Sequence, residues 1–205
     1  DDTGGSNAGA AYIYKRSGTT WTQQVKITAS TADTNDYYGM AVSIDGDYAI
    51  VGSKYDEAGG TNRGTAFIYK RSGTTWSEEA QIQASDGADS DNFGESVSIK
   101  GDYAVVGAIE ASTGGAAYIF KRSGTSWTQQ AILTPSDAAS SDKFGNSVSI
   151  DGAYVIVGAN LEDTGGTDAG SAYVYSRSGS TWSEIKKIQA SNVSAGPQFG
   201  IAVAI

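Results

Sequence analysis

Residues 93–120 read FGESVSIKGDYAVVGAIEASTGGAAYIF, and the pattern of this stretch decides the fold. Val97 and Ile99 alternate with Ser96 and Ser98, the period of two expected of a strand with one buried face. Lys100-Gly101 interrupts the pattern, and a second apolar run, DYAVVG, follows at once. Two alternating runs joined by so short a glycine link predict a hairpin. Beyond a polar, Gly-rich connection comes a third run, AAYIFKR, and Ser123-Gly124 predicts the turn into a fourth that begins near Trp127.

The same sentence is written four times. Trp21, Trp76, Trp127 and Trp182 recur at spacings of 55, 51 and 55 residues, and the pairs Tyr38-Gly39, Phe93-Gly94, Phe144-Gly145 and Phe199-Gly200 keep step with them. The hairpin links of the other copies are Asp45-Gly46 and Asp151-Gly152. The short spacing has one source: VGAIEASTGGAAY lacks four residues present in VGANLEDTGGTDAGSAY. No segment shows helical periodicity with caps. Units of roughly 50 residues with four strands and a recurring Trp predict an all-β chain built from the four-stranded antiparallel blades of a β-propeller. One small sheet cannot bury both of its faces, so the rows Tyr12/Tyr14, Phe67/Tyr69, Tyr118/Phe120 and Tyr173/Tyr175, with the four Trp, are predicted to form the core between stacked sheets.

The repeat sets the expected boundaries: blades at residues 31–85, 86–136 and 137–190, and a split blade joining residues 1–30 with 191–205. Against the copy at residues 151–161, the split blade lacks its second strand. The expectation is three complete blades and one incomplete blade, with the missing strand supplied by a longer array or by a neighbouring copy.

Composition narrows the function. The 205 residues contain no His and no Cys, which excludes Ser/His/Asp and Cys/His nucleophile systems and argues against a zinc site. A net charge of -9 opposes binding to a phosphate backbone or an anionic membrane surface. No run approaches the ~18 apolar residues of a membrane span, and residues 1–10 lack the basic and apolar regions of a signal peptide. Abundant Gly, Ser, Thr and Asp lean toward an extracellular setting. Asn192-Val193-Ser194 has the form of a glycosylation sequon.

Phe93-Gly94 with Ser96-Val97-Ser98-Ile99, then Gly101-Asp102-Tyr103, Val106-Gly107-Ala108 and the Gly-Ala-Tyr runs, resembles the FG-GAP repeat of integrin α-subunit propellers and of many secreted proteins. The resemblance spans essentially the whole chain. It implies a propeller used for adhesion or ligand binding, and a calcium loop between the first and second strands. That loop needs several acidic oxygens, because Ca²⁺ takes six to eight oxygen ligands. Here the link is only Ile44-Asp45-Gly46-Asp47 and its counterparts Lys100-Gly101-Asp102 and Asp151-Gly152-Ala153, so the expectation is a structural turn, no cofactor, and calcium as the lesser alternative.

Acids gather instead in the other connections: Asp33 and Asp36; Asp56 and Glu57; Asp86, Asp89 and Asp91; Asp137 and Asp142; Glu162, Asp163 and Asp168. In an up-and-down blade these connections emerge on one side, opposite the Lys15-Arg16, Lys70-Arg71, Lys121-Arg122 and Arg177 turns. The basic turns are expected to neutralise Asp45, Asp47, Asp102 and Asp151. Asp56, Glu57, Asp86, Asp89, Asp91, Asp137, Asp142, Glu162, Asp163 and Asp168 are therefore the candidate contacts for a protein or glycan ligand. The expected function is a non-enzymatic, extracellular binding or adhesion module. The alternative is a structural repeat that joins copies of itself head to tail into a filament or surface layer.

Overall fold

The computed structural model describes residue 1, residues 4–192 and residues 194–205. Val193 of the sequon lies outside the described residues. Among those residues the regular structure is all strand: β1 (Ala11–Ser17), β2 (Thr20–Ile27), β3 (Val42–Asp45), β4 (Tyr48–Ser53), β5 (Thr65–Ser72), β6 (Thr75–Ile82), β7 (Phe93–Lys100), β8 (Tyr103–Ala108), β9 (Ala116–Ser123), β10 (Ser126–Leu133), β11 (Phe144–Asp151), β12 (Tyr154–Ala159), β13 (Ser171–Ser178) and β14 (Thr181–Ile188). They form three four-stranded antiparallel meanders, β3 to β6, β7 to β10 and β11 to β14, preceded by the β1–β2 hairpin. These are propeller blades. The first strands of successive sheets, β3, β7 and β11, pack on one another, whereas the fourth strands barely meet, so the sheets fan out from an inner edge without closing a ring.

The hairpin turns sit one residue later than the sequence reading. Asp45 pairs with Tyr48, Lys100 with Tyr103 and Asp151 with Tyr154, leaving Gly46-Asp47, Gly101-Asp102 and Gly152-Ala153 at the tips. Each tip glycine has φ of 58° while the residue after it does not have positive φ. That is the type II′ arrangement, which wants glycine first, and not the Asp-Gly type I′ turn.

The core lies between the sheets. Strand alternation sends Phe67 and Tyr69 of β5 backward onto the preceding hairpin, and Ala66 and Ile68 forward onto the next sheet. Three seams result. Ala11, Ile27 and Ala29 meet Tyr38, Phe67, Tyr69 and Trp76 in the first. Ile50, Ile68 and Ile82 meet Phe93, Tyr118, Phe120 and Trp127 in the second. Val105, Ile119 and Leu133 meet Phe144, Tyr173, Tyr175 and Trp182 in the third. Each blade thus lays an aromatic face on the aliphatic face of its predecessor, with edge-on ring pairs such as Phe93–Tyr118 at 5.5 Å and Phe144–Tyr173 at 5.5 Å.

Each seam is also stitched by polar groups. The register slips in every third-to-fourth strand pair, so that Gln24, Glu79, Gln130 and Ile185 bulge out of their ladders. A bulge re-aims its side chain. Here it turns toward the next blade: the Trp76 indole N–H donates to Gln24 Oε1 (3.0 Å), Trp127 to Glu79 Oε1 (3.2 Å) and Trp182 to Gln130 Oε1 (3.1 Å). At the inner edge Ser96 Oγ donates to the Gly145 carbonyl at 2.7 Å, and Ser98 Oγ accepts from the Ile150 amide at 3.2 Å.

Two expectations are corrected. Tyr12, Tyr14 and Trp21 are 46%, 51% and 64% exposed, because no sheet lies behind the β1–β2 hairpin; their counterparts in the other copies are buried. FGIAVAI forms no strand: Phe199 makes one bridge to Gly170, and the residues after it join no ladder with the described residues.

Candidate functional site

The connections that carry the acids interleave on one side of the array. Ser90 N donates to the Thr61 carbonyl (2.8 Å) and Phe93 N to that of Arg63 (3.0 Å); Phe144 N meets Gly114 O (2.8 Å) and Gln198 N meets Asp168 O (3.1 Å). The fourth-to-first link of each copy is thereby laced to the second-to-third connection before it, so the candidate residues share a surface.

They do not share a role. Asp36, Asp91 and Asp142 precede the aromatic-glycine pair in the first three of its four occurrences, and all three are buried. Each accepts the amide three residues back, Asp33 at 2.7 Å, Ala88 at 2.7 Å and Ala139 at 2.8 Å, which folds the link into a turn. Burial pushes all three carboxyls up, Asp36 to about 6. Asp56 is equally enclosed and accepts from Thr65 Oγ1 and the Ala58 amide, both at 2.9 Å.

Glu162 repeats that arrangement with Ser171 Oγ at 2.6 Å and adds Lys187 Nζ at 2.8 Å. Burial alone would raise Glu162, but its bonds from Lys187, Ser171 and Thr164 outweigh it and hold the carboxyl at about 2. Asp137 is exposed yet engaged. It takes Lys187 Nζ at 2.6 Å and the Tyr173 hydroxyl at 2.8 Å, and despite the opposing effect of burial these bonds keep it below the ordinary carboxylate value. Asp91, Asp142, Asp56 and Glu162 therefore brace loops. Glu57, Asp86, Asp89 and Asp163 face solvent, and Asp168 is half-buried. Of these, Asp89 accepts the Thr61 amide (3.1 Å) and Asp163 the Asp168 amide (2.9 Å), leaving each acid its charge and free lone pairs.

On the opposite rim the basic turns neutralise Asp47 and Asp102 as expected, but the cation facing Asp45 and Asp151 is Lys100 of a hairpin link. Arg71 Nε donates to Asp47 (2.9 Å), Arg122 pairs with Asp102, and Lys100 lies 3.3 Å from Asp45. The guanidiniums also stack across seams, Arg122 over the Tyr48 ring at 4.2 Å and Arg177 over Tyr103 at 4.6 Å. No residue signal announced these stacks, because each arginine and its tyrosine lie in different copies.

The calcium position implied by the family resemblance does not fit an ion. Its loop is a two-residue turn whose acids are held by Arg71, Arg122, Lys100 and the Gly101 amide at 2.9 Å. Among the described residues, no three acidic side chains converge as metal ligands would. Chelation with EDTA is accordingly expected to leave the melting temperature unchanged; a drop of several degrees would place a stabilising ion in the acidic connections.

A family profile described as the FG-GAP repeat matches residues 21–69, 76–120 and 127–175. No curated protein matches the chain. Each matched segment starts at a Trp in a fourth strand and ends on the buried aromatics of the next third strand, so the matched unit takes in one fourth strand and the first three strands of the sheet that follows. With the matches covering well over half of the sequence and the sheets built as blades around those seams, the chain belongs to the FG-GAP repeat family.

Proposed function

We propose that the chain is a non-enzymatic, extracellular binding module that meets a basic protein surface or a glycan through its acidic loop side. FG-GAP repeats make β-propeller-type modules, often with extracellular binding roles and generally without catalysis. The observation that carries the reading is the division of the acids. The rim acids are consumed by arginine and lysine, whereas Glu57, Asp86, Asp89 and Asp163 on the looped side have no ion pair among the described residues. Such surfaces steer cationic partners and lose affinity with salt.

The test is retention of the chain on a glycan array and on immobilised cationic protein, compared with a Glu57→Gln, Asp86→Asn, Asp89→Asn, Asp163→Asn variant. Salt-sensitive binding is expected of the unmutated chain, and binding at least roughly tenfold weaker of the variant. Equal binding by both proteins contradicts the proposal.

A second reading, head-to-tail assembly of copies, is favoured by one feature. A groove of about 490 Å³ lined by Tyr12, Tyr14, Trp21, Val42 and Ile44 separates the β1–β2 hairpin from β3 and β4. Sedimentation over a concentration series distinguishes the readings, since assembly through this groove gives species that grow with concentration and a binding module stays monomeric.

A further inference from the structure

The first seam holds two enclosed carboxylates with no counter-ion. Asp36 and Asp56 are each 2% exposed. Asp36 receives only the Asp33 amide, while its own carbonyl accepts Ser53 Oγ at 3.0 Å; Asp56 receives Thr65 and Ala58. Neither has an ion pair among the described residues. The charged groups facing Asp36 are all acids, Asp33 from its own loop and Asp56 and Glu57 from the β4–β5 connection. The cations of that connection are committed elsewhere, Lys54 to Glu95 at 2.8 Å and Arg63 to the Gly59 carbonyl at 3.2 Å.

The third seam follows the same plan with one difference. Asp142 is faced by Glu162, Asp163 and Asp137, but Lys187 binds two of those three acids, Glu162 and Asp137. In the first full blade the residue at the position of Lys187 is Gln81, which is spent on Ser30 Oγ (2.8 Å) and Glu78 (2.9 Å). Among the described residues this lysine leaves the third seam one enclosed carboxylate without a counter-ion, Asp142, where the first seam has two.

We infer that the first seam is a pH-sensitive joint: it is seated while Asp36 is protonated and loosens on the loop side once Asp36 loses its proton, whereas the Lys187 seam holds. Enclosing two like charges without a partner is costly, and a protein in that position keeps one of them neutral or opens to water. The direction follows from linkage. A carboxyl raised to about 6 binds its proton more tightly in the folded seam than in an open one. Its stabilisation is complete below the ordinary value near ~3.9 and is lost as pH rises through about 6. Glu162, held at about 2, behaves oppositely: its contribution is present at neutral pH and fades only toward strong acid.

Amide hydrogen exchange on the intact chain tests the joint. Tyr38 N–H bonds across the first seam to Ala8 O at 3.0 Å, and Phe144 N–H bonds across the third to Gly114 O at 2.8 Å. After correction for intrinsic rates, the protection of Tyr38 relative to Phe144 is expected to fall roughly tenfold between pH 5 and pH 7.5. Asp56→Glu combined with Gln81→Lys, which copies the Glu162–Lys187 pair, is expected to abolish that fall, as is Asp36→Asn. Carboxyl ¹³C titration of the unmutated chain reads Asp36 directly, even where a variant folds poorly. Titration of Asp36 near 4, parallel behaviour of the two amides, or a fall that survives the added lysine each overturn the inference.

Discussion

Trp76→Ala is expected to cost about 3 to 5 kcal/mol, and Trp21→Ala, the same change one copy earlier, less than about 1 kcal/mol. The two tryptophans occupy identical positions in the repeat and near-identical local sequence. Only Trp76 is enclosed, packed in the cluster that contains Ile27, Ala29 and Phe67, with its indole N–H on Gln24 and Arg71 lying 5.9 Å from its ring. Truncation removes that apolar area and leaves a cavity at a seam, and it strands the Gln24 carboxamide. Trp21 is 64% exposed and loses little. Urea unfolding of the two variants measures the contrast; similar midpoints would mean that the seam is not where the stability resides.

A second large effect is expected at a glycine whose backbone angles give no warning. Gly107→Ala should cost about 3 kcal/mol, at or above the usual range for overpacking, while Gly101→Ala costs about 1 kcal/mol. Gly101 has φ of 58°, yet nothing lies near the methyl that alanine would add. Gly107 does not have positive φ, but an added methyl would collide with the Gly145 carbonyl oxygen and with Ser96 Oγ in the clasp between the second and third blades. A backbone carbonyl fixed by the next blade has nowhere to go, so the seam must part. Thermal melts of both variants order them, and a larger loss for Gly101→Ala would show that conformation, not the close approach of blades, sets the requirement for glycine.

Strand identity was legible because apolar residues at period two, cut by glycine turns, leave no other regular structure open to residues 93–133 or 144–188. What stayed hidden depends on a neighbour in space. The bulges at Gln24, Glu79 and Gln130 carry no glycine or proline to mark them, and their purpose lies in a tryptophan more than fifty residues on for Gln24 and Gln130 and nearly as far for Glu79. The acids read alike in sequence, as charged residues in Gly-rich links, yet Asp36 and Asp56 are enclosed while Glu57 beside Asp56 is not. Burial in a loop is decided by the connection that covers it, and that connection belongs to another copy. Tyr12, Tyr14 and Trp21 show the converse, since a pattern that means core inside the array means surface where no blade follows behind.

The copies are not interchangeable parts, and Ile185 says why. At the bulge where the other copies present Gln24, Glu79 and Gln130 to an indole, the last blade offers a hydrocarbon that is 53% exposed. A concatemer made by repeating residues 86–136 would give every tryptophan its acceptor in Gln130. One made by repeating residues 137–190 would strand an indole N–H at every joint, at about 1 to 3 kcal/mol each where the group is buried. Shuffling blades among positions, a common route to designed repeat proteins, would therefore meet a directional rule in this chain: residues 137–190 are built to follow a neighbour that ends in Gln130, and not to precede another blade that carries the tryptophan.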